Sequence, residues 1–106
     1  MCLLHHIAIS VDDIGKYLKL FEKLGMTIQR KNGISPNQQI WFNEGIQLKE
    51  DYSLLNNGAN VDHIALQCSD IEKVVKVALE NGCSLDSRGF NWFVLPNGIR
   101  VEVLGY

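Results

Sequence analysis

The sequence "HIAISVDDIGKYLKLFEKLG" (residues 6–25) returns later in the chain as "HIALQCSDIEKVVKVALENG" (residues 63–82). The two segments align without a gap at an offset of 57 residues, and eight of their twenty positions are identical. Two unrelated segments of this length are expected to share only about one position. The chain therefore contains two copies of one supersecondary unit, and this repeat decides the fold.

Each copy begins with a strand whose two faces differ in character. His6 heads a face of small or polar residues in the first copy, and His63 heads the same face in the second. The opposite, bulky face consists of Ile7, Ile9 and Val11 in the first copy and of Ile64, Leu66 and Cys68 in the second. We expect the bulky faces to pack against helices and the histidine faces to stay open.

A helix is predicted after each of these strands. Apolar residues recur at helical spacing over residues 14–24 and 71–79. The candidate N-caps are Asp12 or Asp13 in the first copy and Ser69 or Asp70 in the second. Gly25 and Gly82 stand where a left-handed C-terminal cap is expected, so both ends of each helix are marked.

Three further strands are predicted after each helix. They are "MTIQRKNGI", "QQIWFNE" and "IQLKED" in the first copy, and "SLDSRGF", "NWFVLPN" and "IRVEVLGY" in the second. We therefore predict one α+β domain of two tandem β-α-β-β-β modules, with module one at 1–51, a linker at 52–60 and module two at 61–106. The modules should form a mixed, curled sheet around a cleft, with the helices on the outer face.

Composition excludes several classes of partner. The net charge of −2 comes without a basic stripe, which argues against nucleic acid as the main partner. No apolar run approaches the roughly 20 residues that a membrane span needs. The three cysteines have no metal-type spacing, and no secretory signal precedes them, so we expect reduced thiols and a cytoplasmic location.

The last strand of each copy carries a polar residue that suits a metal site. If the apolar faces of these strands also meet the helices, Gln47 and Glu102 join His6 and His63 on the open faces. Two histidines, an amide and a carboxylate are a plausible ligand set for a divalent metal. Gln47 is the least secure member of this set, because the turn before it is about two residues shorter than the turn before Glu102. Glu50, the fallback, is out of phase with Gln47 on a regular strand.

The alternative to metal ligation is a purely structural role, in which the two histidines are strand residues held by hydrogen bonds and retained from the duplication. Their equivalent positions, each matched by a polar residue on the last strand, favour ligation. His5 points away from His6 on a regular strand, and Asp62 replaces it in the second copy. We therefore expect His5 to be an incidental neighbour at the helix side or the sheet edge.

The chain resembles the vicinal oxygen chelate superfamily, the glyoxalase, bleomycin-resistance and extradiol-dioxygenase group. The similar segments are "HHIAISVDDI", "VDHIALQCSDI" and "LPNGIRVEV", and the resemblance covers nearly the whole chain. It implies metal ligands at His6, Gln47, His63 and Glu102, a set most similar to that of methylmalonyl-CoA epimerases. It also implies paired modules around a cleft, and a homodimer.

This resemblance implies a metal-dependent, glyoxalase-like lyase or isomerase/epimerase. Such an enzyme transfers a proton on a small substrate that chelates the metal through two neighbouring oxygens. Glu102 is the candidate proton shuttle, and Zn, Ni, Co or Mn would suit the ligands. The alternatives are a small-molecule binding protein without metal, similar to bleomycin-resistance proteins, and an extradiol dioxygenase, which would use iron.

Four other residues are weaker candidates for contacts with the substrate. Lys49 and Arg100 are expected near the cleft, where they could meet an anionic substrate, although solvated charges are the simpler interpretation. Trp41 and Trp92 could line a pocket, although core or interface packing is the simpler reading.

Overall fold

The computed structural model describes residues 2–54 and 59–106 of the chain. The elements are β1 (Leu3–Val11), α1 (Ile14–Lys23), β2 (Ile28–Asn32), β3 (Gln39–Phe42), β4 (Ile46–Glu50), a 3-10 turn (Tyr52–Leu54), β5 (Ala59–Gln67), α2 (Ile71–Glu80), β6 (Ser84–Leu85), β7 (Trp92–Val94) and β8 (Arg100–Leu104). The order β-α-β-β-β thus occurs twice, and the predicted α+β fold with a mixed sheet is confirmed. Met1, and residues 55–58 of the predicted linker, lie outside the described residues.

The chain forms two compact units. The first unit is Ile7–Val61, and the second unit is Asp62–Tyr106 together with Met1–His6. In the first unit the strand order is β2-β3-β4-β1, and β1 is parallel to β4 while the other pairs are antiparallel. In the second unit the order β5-β8-β7-β6 repeats this arrangement, with β5 parallel to β8.

Both helices begin at an aspartate. Oδ1 of Asp13 accepts the backbone N–H of Lys16 at 3.2 Å, and Oδ1 of Asp70 accepts that of Lys73 at 3.1 Å. Each carboxylate satisfies a backbone donor that has no partner within the helix, which selects Asp13 and Asp70 from the candidate caps. Both helices are followed by a glycine with φ of 93°, the left-handed conformation predicted for Gly25 and Gly82.

The bulky strand faces pack against the helices, as the alternation predicted. The buried core of the first unit consists of Val11, Ile14, Ile40, Phe42 and Leu48. The buried core of the second unit consists of Cys68, Val75, Phe93, Val101 and Val103. Burial of one such large apolar side chain stabilises the fold by about 1.5–3 kcal/mol, so each unit has a core that holds its helix on its strands.

The opposite strand face is less open than its polarity suggested. Ala8 and Ala65 are fully buried, and Ser10 is also buried. Ala8 lies beside Gln47 on β4, and Ala65 lies beside Glu102 on β8. A methyl group between larger neighbours presents little surface to solvent, so this face is covered although it carries polar residues.

Within the described ranges, neither helix is long and apolar enough to cross a membrane. Each has ten residues, which corresponds to about 15 Å, half the thickness of a bilayer core.

Candidate metal centre

Three side chains of the second unit converge from three strands. His6 lies on β1, His63 on β5 and Glu102 on β8, and each offers one ligand atom within 4.8 Å of the others. The histidines are 8% and 4% exposed, whereas Glu102 is partly exposed. The structure therefore brings together three of the four ligands that the sequence predicted.

The two imidazole rings of this cluster stand at a steep angle to each other. The centroids of His6 and His63 are 5.5 Å apart with an interplanar angle of 76°. Nε2 of His63 lies 3.6 Å from Oε1 of Glu102, and within the described part of the chain it has no hydrogen-bond partner. A buried nitrogen without such a partner is uncommon in native structures and calls for an explanation.

A divalent metal ion would fit this donor set. Bonds of about 2.1 Å from nitrogen and oxygen separate neighbouring ligand atoms by about 3–4 Å. The 3.6 Å between Nε2 of His63 and Oε1 of Glu102 already lies in this range, and all separations in the cluster are within 4.8 Å. Imidazole and carboxylate groups suit Zn and the other divalent first-row metals. The lone pair on Nε2 of His63 would then acquire a partner.

Asp62 contacts the other side of the His63 ring, and Arg88 binds Asp62. Nδ1 of His63 lies 2.6 Å from Oδ2 of Asp62. The guanidinium of Arg88 donates two hydrogen bonds to the carboxylate of Asp62, of 2.7 and 3.1 Å. The side-chain hydrogen bond with Asp62 raises the pKa of Arg88 above its ordinary value. Histidine ligands of metals usually have a partner of this kind on the second ring nitrogen.

Sequence reasoning missed both residues of this pair. Arg88 lies between β6 and β7, 26 positions from Asp62, and no motif connects them. The repeat did contain one signal, because Asp62 occupies the position of His5 in the first copy. One contact was not expected from the strand phase, because Nδ1 of His5 lies 2.8 Å from Nδ1 of His6.

Gln47 lies in the first unit and occupies the same register position there as Glu102 does in the second. Gln47 is paired with Ala8 on β1, and Glu102 with Ala65 on β5, the two alanines of the repeat. Gln47 is buried, and its Nε2 donates to Oε1 of Gln39 at 2.8 Å. The shorter turn before β4 therefore leaves the strand register intact.

The fallback residue Glu50 is engaged in its own unit. Its carboxylate accepts hydrogen bonds from Oγ of Ser35 at 3.0 Å and from the backbone N–H of Gln38 at 3.2 Å. These contacts attach the loop before β3 to the end of β4, which is a structural role.

The two tryptophans occupy equivalent positions in the two units. Trp92 on β7 is the strand-register partner of Glu102 on β8. Its ring packs edge-on against that of His63, with the ring centroids 4.8 Å apart. Trp41 is paired with Gln47 and lies under the guanidinium of Arg30, 3.9 Å from the ring centroid. Trp92 thus lies against the histidine and carboxylate cluster.

The two predicted cations are placed differently. Nε of Arg100 lies 3.3 Å from Oδ2 of Asp86, and the Arg100 side chain is 45% exposed. Lys49 is half-buried on β4, between Ser10 of β1 and Gln39 of β3. Arg100 therefore has an ion-pair partner in its own unit.

No protein-family model matches the chain, and no curated protein matches it at a significant level. Solved structures do match. A hypothetical protein from Bacillus halodurans C-125 aligns with a TM-score of 0.71 and 20% identity, over 99% of this chain and 94% of that one. Methylmalonyl-CoA epimerase from Mycobacterium tuberculosis aligns with a TM-score of 0.67 and 17% identity, over 96% of this chain and 86% of that one.

A third similar structure is that of BphC, a halotolerant catechol dioxygenase. It aligns with a TM-score of 0.67 and 14% identity over 97% of this chain, which spans only 40% of the dioxygenase chain. At these identities the likeness concerns the fold. The chain therefore has the same fold as the methylmalonyl-CoA epimerase and the catechol dioxygenase structures.

Proposed function

We propose that this protein is a metal-dependent lyase or isomerase of the glyoxalase and epimerase type. Its substrate would be a small molecule with two neighbouring oxygen atoms, and its chemistry would be proton transfer at carbon. The observation that carries this proposal is the cluster of His6, His63 and Glu102, with ligand atoms within 4.8 Å of one another. The buried Nε2 of His63, with no hydrogen bond among the described residues, supports it.

The proposed ligands are His6, His63, Glu102 and Gln47. The two histidines would supply neutral nitrogen donors and Glu102 an anionic oxygen. The register equivalence of Gln47 and Glu102 supports Gln47 as the fourth ligand, because the two copies then contribute one residue each at this position. A divalent ion bound there would act as a Lewis acid toward the substrate oxygens.

Glu102 is the proposed proton shuttle. Its carboxylate is partly exposed, so a substrate can reach it, and it lies 3.6 Å from the buried Nε2 of His63. A carboxylate in such a position can take a proton from a carbon next to a carbonyl group and return it to the same or a neighbouring atom. Inversion of the configuration at the carbon would require in addition a proton donor on the opposite face of the substrate or rotation of the intermediate.

Metal analysis tests the first part of this proposal. Protein produced in medium with Zn, Ni, Co and Mn should carry close to one ion per chain, measured by elemental mass spectrometry. His63→Ala should lose the ion, whereas Glu80→Gln, which removes an exposed carboxylate of the same unit, should keep it. Absence of metal from the wild type, with no change in His63→Ala, would instead support a metal-free small-molecule binding protein.

Hydrogen exchange tests the second part. One similar structure is a methylmalonyl-CoA epimerase in complex with methylmalonyl-CoA and NH4+. Methylmalonyl-CoA is therefore the first substrate to try, followed by 2-oxo and 2-hydroxy carbonyl compounds. Proton NMR in D2O should show loss of the hydrogen on the carbon next to the carbonyl, at a rate that depends on added metal. A metal-loaded protein that exchanges no hydrogen on any of these compounds would contradict the proposal.

Extradiol dioxygenase activity is the second candidate. Two histidines and one carboxylate are the set typical of non-haem iron oxygenases, and the described cluster has this composition. The fold likeness to a catechol dioxygenase also favours it. Oxygen uptake by the Fe(II)-loaded protein with catechols would distinguish this activity from proton transfer, which consumes no oxygen.

We propose that modules 1–51 and 61–106 act together as one domain and that the protein is a cytoplasmic homodimer. Sedimentation equilibrium at several protein concentrations would test the dimer. A mass equal to that of one chain at all concentrations would exclude it.

A further inference from the structure

The two ring nitrogens of His63 each face a carboxylate, but only Nδ1 is within hydrogen-bond distance of one. Nδ1 lies 2.6 Å from Oδ2 of Asp62, and Nε2 lies 3.6 Å from Oε1 of Glu102. An ionised carboxylate can only accept hydrogen bonds, so the contact with Asp62 requires a hydrogen on Nδ1. In a neutral imidazole Nε2 then carries the lone pair, and this is the atom that faces the cluster.

Arg88 determines where the carboxylate of Asp62 points. Its two nitrogens bind the two oxygens of Asp62 at 2.7 and 3.1 Å, a bidentate geometry that fixes the plane of the carboxylate. The guanidinium also lies 5.1 Å from the centroid of Trp92, whose ring contacts that of His63. Arg88, Asp62, His63 and Trp92 therefore form one connected group in the second unit.

The first copy of the repeat has a histidine where the second copy has the aspartate. His5 stands in the position of Asp62, and its Nδ1 lies 2.8 Å from Nδ1 of His6. An imidazole nitrogen can donate or accept, so either ring can carry the shared hydrogen. If His5 donates, Nδ1 of His6 is the acceptor, and the hydrogen of a neutral His6 ring is then on Nε2. The contact with His5 therefore does not by itself decide which nitrogen of His6 carries the hydrogen, whereas the contact with Asp62 does so for His63.

From this geometry we infer that Asp62, oriented by Arg88, is a positioning residue that keeps the ring hydrogen of His63 on Nδ1. The lone pair of a neutral His63 is then on Nε2, the nitrogen that faces the cluster. The inference deepens the proposed function, on which its relevance to metal binding rests. The tautomer itself can be measured in metal-free protein. Failure of the inference is therefore distinguishable from failure of the proposed function.

The first measurement is the tautomer of each histidine. Long-range proton–nitrogen NMR spectra of metal-free, 15N-histidine-labelled protein are recorded in mildly alkaline buffer, where imidazole is neutral. The ring signals are assigned with His5→Gln, His6→Gln and His63→Gln. In the wild type, His63 should be predominantly the Nδ1–H form. A predominant Nε2–H form of His63 would overturn the inference.

The second measurement uses substitutions of the positioning pair. Asp62→Asn can donate as well as accept, so the Nε2–H form of His63 should increase. Arg88→Lys keeps a positive charge but cannot make the bidentate contact, so it should give an intermediate shift. Glu80→Gln serves as the control for removal of a carboxylate and should leave the spectrum unchanged. Circular dichroism shows whether each variant is folded.

The third measurement is the affinity for Zn²⁺ by competition with a chromophoric chelator. Asp62→Asn should bind Zn²⁺ roughly 10–100-fold more weakly than the wild type, Arg88→Lys less so, and Glu80→Gln equally well. Unchanged tautomer and affinity in both folded variants would overturn the inference. If the wild type binds no metal, the proposed function fails, and the tautomer shifts still decide the role of Asp62 and Arg88.

Discussion

Nε2 of His63 lies 3.6 Å from Oε1 of Glu102, just beyond hydrogen-bond distance. The two residues come from β5 and β8, which are parallel neighbours in the second unit. Their ligand atoms lie within 4.8 Å of each other and of one ligand atom of His6, yet within the described chain Nε2 of His63 has no hydrogen bond. This arrangement suits two ligands that share an ion better than it suits a direct contact between them.

Glu102→Gln separates metal binding from proton transfer. The amide keeps an oxygen near the same place but lacks the negative charge and the basicity of the carboxylate. Metal affinity should fall about tenfold, while deuterium incorporation into substrate should fall about 100-fold or more. Isothermal titration and NMR exchange measure the two quantities. Deuterium incorporation at the wild-type rate would exclude Glu102 as the proton shuttle.

His6→Ala and His5→Ala test the assignment of the histidine doublet. His6→Ala removes a ligand and should abolish stoichiometric metal binding. His5→Ala removes only the contact of 2.8 Å with Nδ1 of His6, so it should weaken binding by at most about tenfold. Metal content after dialysis measures both effects. Loss of metal in His5→Ala with retention in His6→Ala would contradict the strand phase inferred for residues 5 and 6.

Gln47→Ala tests the fourth proposed ligand. Nε2 of Gln47 is engaged with Gln39, so its amide oxygen is the atom that can serve as a donor. Gln47→Ala should weaken metal binding about tenfold. Gln39→Ala removes the hydrogen-bond partner alone and should have a smaller effect, measured by the same titration. Equal affinities of Gln47→Ala and the wild type would remove Gln47 from the ligand set.

Asp13→Ala and Asp70→Ala test the helix caps. Each aspartate accepts the backbone N–H three residues later, at 3.2 Å in α1 and 3.1 Å in α2. Each substitution should lower the free energy of unfolding by about 1 kcal/mol, measured by urea denaturation. The rejected cap candidates provide controls, since Asp12→Ala and Ser69→Ala should have clearly smaller effects. The opposite ranking would place the helix starts one residue earlier.

Glu44 should make stability depend on pH. The backbone N–H of Thr27 binds its carboxylate at 2.8 Å and lowers the pKa of Glu44 below its ordinary value. In the unfolded chain this carboxyl binds a proton at a higher pH, so the stabilisation is fully present above the unfolded pKa. It is lost as the pH falls through the lowered folded pKa.

Urea denaturation of the wild type and Glu44→Gln at a series of pH values measures this contribution. The difference in stability between the two proteins should shrink from neutral pH toward acidic pH. Glu22→Gln, a change of an exposed helix residue, should show less dependence. A difference that stays constant across the acid range would show that the Thr27 contact does not depend on the charge of Glu44.

Much of the fold could be predicted because the sequence repeats itself. The offset of 57 residues aligns two strands and two helices, and period-two alternation assigns the bulky face to the helix side. The cores around Leu48 and Val101 follow from this alternation, since burial of the bulky face is what favours the register. The two caps also follow, because an aspartate at the start of each periodic segment can bind a free helical N–H.

The candidate site could be predicted only in part. His6 and His63 are visible as a repeated pair, and Glu102 follows from strand phase. Gln47 could not be aligned with Glu102 by counting, because the preceding turns differ by two residues. Hydrogen-bonded pairing of each residue with an alanine of the repeat decides that equivalence, and this depends on which strands are neighbours.

The sequence by itself determined the two modules, the phase of their strands and the residue types available for chemistry. These depend on local periodicity and on contacts between neighbouring positions. Only the tertiary structure decided that Arg88 holds Asp62, which in turn holds His63, and that His5 contacts His6. Such contacts depend on the directions of individual side chains and on the path of a loop, and no periodic pattern in the chain encodes them.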